Sequence, residues 1–137
     1  MITASIVPIE ERLNFLPLIT KQYLYFEQAI YYFADKFIQD GHSAYWEFST
    51  LSNGGKFCYP KASSTLTLSN AMNYQTVTLS AEAAGICIML VVFSHYSMIA
   101  YEQGDDVELE RFAQLHSQLD DYARLHSEWS KIGRFID

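Results

Sequence analysis

Hydrophobic residues in the first third of the chain recur with the spacing of a helix. They follow one another at intervals of three or four positions, which places them on one face. Pro17 can begin such a helix and Gly41 can end it. The pattern predicts a long N-terminal helix whose apolar face is formed by Ile19, Tyr23, Phe26, Ile30, Phe33 and Phe37.

After Gly41 the hydrophobic period changes from helical to two. Segments 45–51, 56–59, 65–69 and 74–79 are rich in aromatic and β-branched residues and alternate as strands do. Polar turns at 52–55 and 70–73 join them in pairs. The pattern predicts one four-stranded antiparallel meander, with one face covered by helices and the other partly solvated. On this alternation Trp46 and Phe48 face the core and Glu47 faces solvent.

The last third of the chain is predicted to be helical. Ser80 is a candidate N-cap and Glu82 suits a first helical turn. The stretch 83–101 carries no Asp, Glu, Lys or Arg, and its acidic flanks without Lys or Arg favour a buried central helix over a membrane span. Gly104 should end this helix, and Asp105 or Asp106 should cap the next, with a break near His126. The expected fold is a single α+β domain over 1–137, in which the meander packs against the N-terminal, central and C-terminal helices.

Charge is concentrated in one segment. The formal net charge is -7, and residues 102–121 contain seven acidic side chains against Arg111 alone. Such a stretch is either a solvated helix face or an acidic docking surface. The candidate partner-binding residues are Asp105, Asp106, Glu108, Glu110, Asp120 and Asp121, together with Glu47 and Asn53 of the strand region. Because the basic residues are scattered, direct nucleic-acid binding is disfavoured.

The sequence contains few candidate catalytic or metal-binding residues. Cys58 and Cys87 make no metal-ligand spacing and are expected to be reduced thiols in a cytoplasmic protein. The four histidines show no ligand or catalytic motif, and we expect no metal or cofactor. Two competing functions remain open: a small hydrolase or nuclease using Glu47 and histidines beside aromatics, and a nucleic-acid-binding module using a Tyr/Trp-rich sheet face.

Several short motifs, in order along nearly the whole chain, resemble the ArdB/KlcA family of antirestriction proteins. They are Val7-Pro8, Glu11-Arg12, Asn14-Phe15-Leu16-Pro17, Glu27, Tyr45-Trp46-Glu47-Phe48, Leu51-Ser52-Asn53-Gly54-Gly55 with Phe57 and Pro60, and Leu79-Ser80-Ala81-Glu82-Ala83-Ala84-Gly85. The chain departs from the family pattern at Lys56, where an aromatic residue is frequent, and matches it loosely in the C-terminal helices.

The resemblance implies a cytoplasmic inhibitor that protects incoming mobile-element DNA from type I restriction enzymes. Its expected partner is the restriction complex or an associated host protein, bound without catalysis. Full DNA mimicry is disfavoured, because B-DNA carries a charge about every 1.7 Å of its axis, and seven carboxylates do not reproduce such a row.

Overall fold

The fold is α+β, and the computed structural model describes residues 1–137. A 3-10 helix at Ile9–Asn14 follows the first strand. The strands are β1 (Ala4–Ile6), β2 (Trp46–Leu51), β3 (Lys56–Pro60), β4 (Leu66–Asn70) and β5 (Gln75–Leu79). The helices are α1 (Tyr23–Phe37), α2 (Ala81–Gln103), α3 (Asp106–Leu125) and α4 (Trp129–Ile136).

The five strands form two sheets, so the prediction of one four-stranded meander is wrong. Strands β1-β2-β3 make one antiparallel sheet, and β4-β5 make a separate hairpin. The edge of β4 instead meets the chain that leaves α1, where Ile38 bridges to Leu68 and Gln39 N–H donates to the Thr67 carbonyl at 3.0 Å. Strand β1 was not predicted, because its three residues are exposed and show no alternation.

Helices cover both faces of the three-stranded sheet. Trp46 on one face packs edge-on against Tyr31 of α1, with ring centroids 5.6 Å apart. Phe57 pairs with Ser49 and therefore lies on the opposite face, where it contacts Tyr122 of α3 at 5.9 Å. The prediction of a partly solvated face with Glu47 pointing to water is thus wrong, because Glu47 is only 8% exposed.

The N-terminal helix is shorter than predicted. It begins at Tyr23 rather than after Pro17, although its predicted apolar positions Phe26, Ile30 and Phe37 are buried. Ile19 is also fully buried, but it belongs to a turn that precedes the helix. The periodicity correctly predicted which face of the helix is buried, but it predicted the start of the helix several residues too early.

Helix α2 lies at the centre, as its composition predicted. Ser80 caps its start by accepting from Ala83 N–H, and Gly104 ends it with a φ of 70°. Asp105 then caps α3 by accepting from Glu108 N–H at 3.1 Å. Although α2 is long and apolar enough to span a membrane, 61% of its most apolar window is buried inside the protein.

The β4–β5 turn holds the end of the last helix. Asn70 and Asn73 donate their side-chain amides to the Phe135 carbonyl at 2.8 and 3.1 Å. These bonds satisfy a carbonyl of the last turn of α4 that has no partner within the helix. The hairpin and α4 also contribute to the hydrophobic cluster of 31 buried residues, through Leu68, Val77, Leu79, Ile132 and Phe135.

Candidate partner-binding surface at the α2–α3 corner

Four carboxylates reach solvent where α2 turns into α3. Glu102, Asp106 and Glu110 are exposed and Asp105 is half-buried. We call these four residues the acidic corner. Asp105 and Asp106 stand at the N-terminus of α3, where the helix dipole favours negative charge. The local fold therefore stabilises a compact negative patch at this corner.

Glu108 does not belong to that exposed patch, which corrects its prediction as a surface acid. Its side chain turns inward and the residue is only 8% exposed. Its Oε1 accepts from the Thr20 hydroxyl at 3.3 Å, and its Oε2 has no hydrogen-bond partner. The segment 20–22 that precedes α1 closes over it.

Asp120 and Asp121 lie at the other end of α3, roughly 20 Å from the corner at about 1.5 Å per residue. Asp120 forms an ion pair with Arg124 at 2.9 Å. The exposed positions between Glu110 and Asp120 carry no acid, since they are Arg111, Ala113, Gln114 and Ser117. The acidic segment therefore forms two separate groups of carboxylates, unlike the continuous row of a nucleic-acid backbone.

Glu47 is part of the folded interior. Arg12 Nη2 contacts its Oε2 at 2.8 Å, and Lys61 Nζ lies 3.7 Å from its Oε1. The same guanidinium donates to the Tyr45 hydroxyl at 2.8 Å and to the Trp46 carbonyl at 3.2 Å. This network fastens the N-terminal segment to strand β2. Glu47 therefore has a structural role in this network.

Asn53 is also engaged within the protein. Its side-chain amide donates to the Gln118 carbonyl at 2.9 Å, and Gln118 Nε2 donates back to the Asn53 carbonyl at 2.8 Å. Gly54, with a φ of 92°, leaves room for Gln118, because a Cβ atom built at Gly54 would lie 2.9 Å from Gln118 Nε2. This reciprocal pair clasps the β2–β3 turn to the second half of α3, away from the acidic corner. Asn53 and Glu47 are thus both engaged by other residues of the protein.

Two of the four histidines, His42 and His126, are held by hydrogen bonds to neighbouring groups. His42 contacts Asp35 through Nε2 and the Ser43 carbonyl through Nδ1, at 2.8 and 2.9 Å. His126 contacts Glu82 through Nε2 at 2.8 Å, while its Nδ1 accepts from a backbone N–H at 3.0 Å. His95 and His116 form no hydrogen bond within the protein and line a separate cavity. No group of three or more His, Cys, Asp or Glu side chains is arranged to hold a metal ion.

The two thiols are poor nucleophiles. Burial raises the pKa of both Cys58 and Cys87, the latter to about 12. Because the thiolate is the reactive form, both side chains stay protonated near neutral pH. Cys58 donates its S–H towards the sulfur of Met89 at 3.5 Å, which makes it a packing residue.

The aromatic side chains of the sheet do not form an open stacking platform. Trp46 is 4% exposed, and Phe48 stacks on Phe15 with ring centroids 4.9 Å apart. A single-stranded nucleic acid needs exposed ring faces on which bases can stack. Packing inside the protein therefore covers the ring faces of Trp46 and Phe48, on which the sequence pattern suggested that bases could stack.

An acid at the α3–α4 junction holds the start of α2, and sequence analysis missed it. Glu128 accepts from Ser80 N–H at 2.9 Å and from the Ser80 hydroxyl. Burial raises the pKa of this carboxyl, but the two Ser80 bonds and nearby His126 outweigh burial and leave the pKa below its ordinary value. The stabilising contribution is therefore present above the pKa of the unfolded chain and is lost as pH falls through the folded pKa.

We expect Glu128→Gln to lower the free energy of unfolding by about 1 to 2 kcal/mol at neutral pH, since hydrogen bonds to a charged acceptor are lost. Urea unfolding measured from neutral to acidic pH should show the variant converging with the unsubstituted protein as the acid limb is reached. The exposed Glu10 supplies a matched control, Glu10→Gln, which should leave the pH profile unchanged. A constant difference at every pH would contradict the assignment.

Comparison with known proteins relates the chain to one family. A family model described as "Antirestriction protein" matches residues 39–137. The Escherichia coli K12 protein YfjX is 35% identical over 136 residues, covering 96% of this chain and 85% of the relative. An Escherichia coli antirestriction protein KlcA is 31% identical over 139 residues, covering 99% of this chain and 95% of the relative.

A solved structure shares the fold. It covers 99% of this chain and 95% of its own, with a TM-score of 0.86 and 29% identity. The study of that structure reports that the KlcA and ArdB proteins show a novel fold and antirestriction activity against type I DNA restriction systems in vivo but not in vitro. The sequence resemblance to the ArdB/KlcA family is thereby confirmed, and the chain belongs to the antirestriction protein family.

Proposed function

We propose that this protein protects incoming DNA from type I restriction by binding a protein partner in the cytoplasm, without catalysis. The observation that carries the proposal is the chain-long match to KlcA, in sequence and in fold. The partner is the restriction complex itself or a host protein associated with it. Activity of the structural relatives in vivo but not in vitro supports an inhibitor that depends on such a cellular factor.

The proposed docking surface is the acidic corner. Glu102, Asp106 and Glu110 are exposed, and none of them forms an ion pair within the protein. Exposed carboxylates without an internal ion pair steer the approach of a positively charged surface and favour one orientation of docking. A restriction complex must carry basic surfaces where it contacts DNA. The acidic corner is therefore a complementary patch that is too short to imitate a DNA duplex.

Unmodified phage should plate on a type I restricting host that expresses this chain with an efficiency close to that on a non-restricting host. Unchanged restriction in cells that contain the folded protein would contradict the proposed function. The double variant Asp106→Lys/Glu110→Lys should lose protection while folding normally, since both side chains are exposed. Reversal of the exposed Glu10 and Glu11 to Lys, which changes the net charge equally, should leave protection intact.

A further inference from the structure

A small cavity lies beside the acidic corner, between α2, α3 and the segment that precedes α1. Its volume is about 80 Å³. The side chains Glu108, Asp105, Gln103, Thr20, Tyr96 and Phe112 contribute to its lining. Two carboxylates and two aromatic rings thus surround a space that is open at a negatively charged surface.

Glu108 is the unusual member of this lining. The residue is only 8% exposed, and its Oε2 is shielded from solvent and has no hydrogen-bond partner. Its Oε1 has one hydrogen bond, from Thr20 at 3.3 Å, which is longer than the ordinary O–H···O range. A buried acceptor without a partner destabilises a protein. The carboxylate is therefore under-satisfied at both oxygens and would be stabilised by an added donor.

The lining matches an ammonium group better than other cations. No group of three or more His, Cys, Asp or Glu side chains is arranged here to hold a metal ion. A guanidinium pairs best with both oxygens of a carboxylate, and here it would have to share Oε1 with the Thr20 hydroxyl. A compact ammonium needs only one free oxygen, and the lining also includes the aromatic side chains Tyr96 and Phe112.

We propose that this cavity is a socket for a lysine side chain of the protein partner, with Glu108 as the counter-ion. The inference rests on the proposed function for the identity of the partner, whereas the socket itself is a property of this chain. The exposed acids of the corner attract the basic partner, and Glu108 fixes one lysine at the centre of the contact. A charged pair that is desolvated in this way has the character of an interface hot spot.

Lys21 also lines the cavity, so an internal occupant has to be distinguished from an external one. Its ammonium forms no ion pair with Glu108 or Asp105 in the structure. If Lys21 filled the socket in solution, a soluble ammonium would bind the Lys21→Met variant and fail to bind the unsubstituted protein. That result would overturn the proposal.

Titration with n-butylammonium chloride, followed by two-dimensional NMR of the whole chain, tests the socket directly. We expect saturable millimolar binding with shifts centred on Glu108, Tyr96 and Phe112. Glu108→Gln should abolish these shifts while retaining the remaining spectrum of a folded protein. n-Butylguanidinium should bind more weakly, and 1-butanol should produce no saturable shift. Absence of binding by butylammonium would indicate a water-filled cavity and overturn the socket.

The phage plating assay tests the partner lysine separately. Glu108→Gln should reduce protection by about tenfold or more at equal amounts of folded protein. The control Glu10→Gln removes the same charge at an exposed position outside the corner and should protect fully. Full protection by Glu108→Gln, with butylammonium binding lost, would overturn the role in docking. Failure of the unsubstituted chain to protect would overturn the proposed function and the partner lysine with it, while the NMR titration would still decide the socket.

Discussion

Replacement of Gly85 by alanine should destabilise the protein by about 3 kcal/mol or more, the upper end of the cost of overpacking a core. A Cβ atom built at this position would meet the Cβ of Tyr59, the carbonyl oxygen of Cys58 at 2.5 Å and the Cα of Tyr59 at 2.8 Å. Backbone atoms of strand β3 cannot move aside as the end of a flexible side chain can. Helix α2 would therefore have to separate from the three-stranded sheet.

Urea unfolding of Gly85→Ala against Ser94→Ala measures this effect. Ser94 lies on the same helix but is exposed, so its substitution should change the free energy of unfolding by less than about 0.5 kcal/mol. Gly85→Val should be worse than Gly85→Ala, because the added methyl groups point into the same contact. Equal stability of the two alanine variants would show that the close approach of α2 and β3 is not required.

The fold explains four of the residues that carry the family resemblance. Arg12 and Glu47 form the ion pair between the N-terminal segment and β2. Asn53 forms the clasp between the β2–β3 turn and α3. Gly85 permits the contact of α2 with β3. These motifs therefore identify the family by what holds its structure together, and they do not by themselves locate the surface that meets the partner.

Local sequence signals predicted the boundaries of the later elements well. Ser80, Gly104 and Asp105 act as the predicted caps because capping depends on a side chain and its nearest backbone groups. The arrangement of strands was predicted incorrectly, because the pairing of β4 with the chain after α1 joins residues some thirty positions apart, at Ile38 and Leu68. No local pattern encodes which strand edge is nearest in space.

The candidate site was predicted in part for the same reason. The run of acids indicated the acidic corner, and helix periodicity could place Asp106 and Glu110 on one face. It could not show that Glu108 turns inward to Thr20, a contact across 88 positions. Nor did alternation in β2 reveal that Glu47 is buried, because the cover on that face comes from elements distant in sequence.

Substitution of Arg12 by methionine should cost about 3 kcal/mol, because it leaves the carboxylate of Glu47 largely buried without its principal partner. The two side chains are only 15% and 10% exposed, and Lys61 at 3.7 Å is a poor replacement. Glu47→Gln should cost less, about 1 kcal/mol, since the guanidinium keeps hydrogen bonds to the Tyr45 hydroxyl and the Trp46 carbonyl. The double variant should therefore lose less free energy of unfolding than the two single variants lose together.

Urea unfolding of the two single variants and the double variant, at low and high salt, separates this interaction from an ordinary surface pair. High salt screens exposed charges but reaches a buried pair much less, so the loss in Arg12→Met should persist at both salt concentrations. Arg134→Met, at an exposed arginine that forms no ion pair, should change stability by less than about 0.5 kcal/mol. If Arg12→Met were no more destabilising than Arg134→Met, the Arg12–Glu47 pair would not be what fastens the N-terminal segment to β2. Strictly additive losses in the double variant would likewise show that the two charges do not stabilise each other.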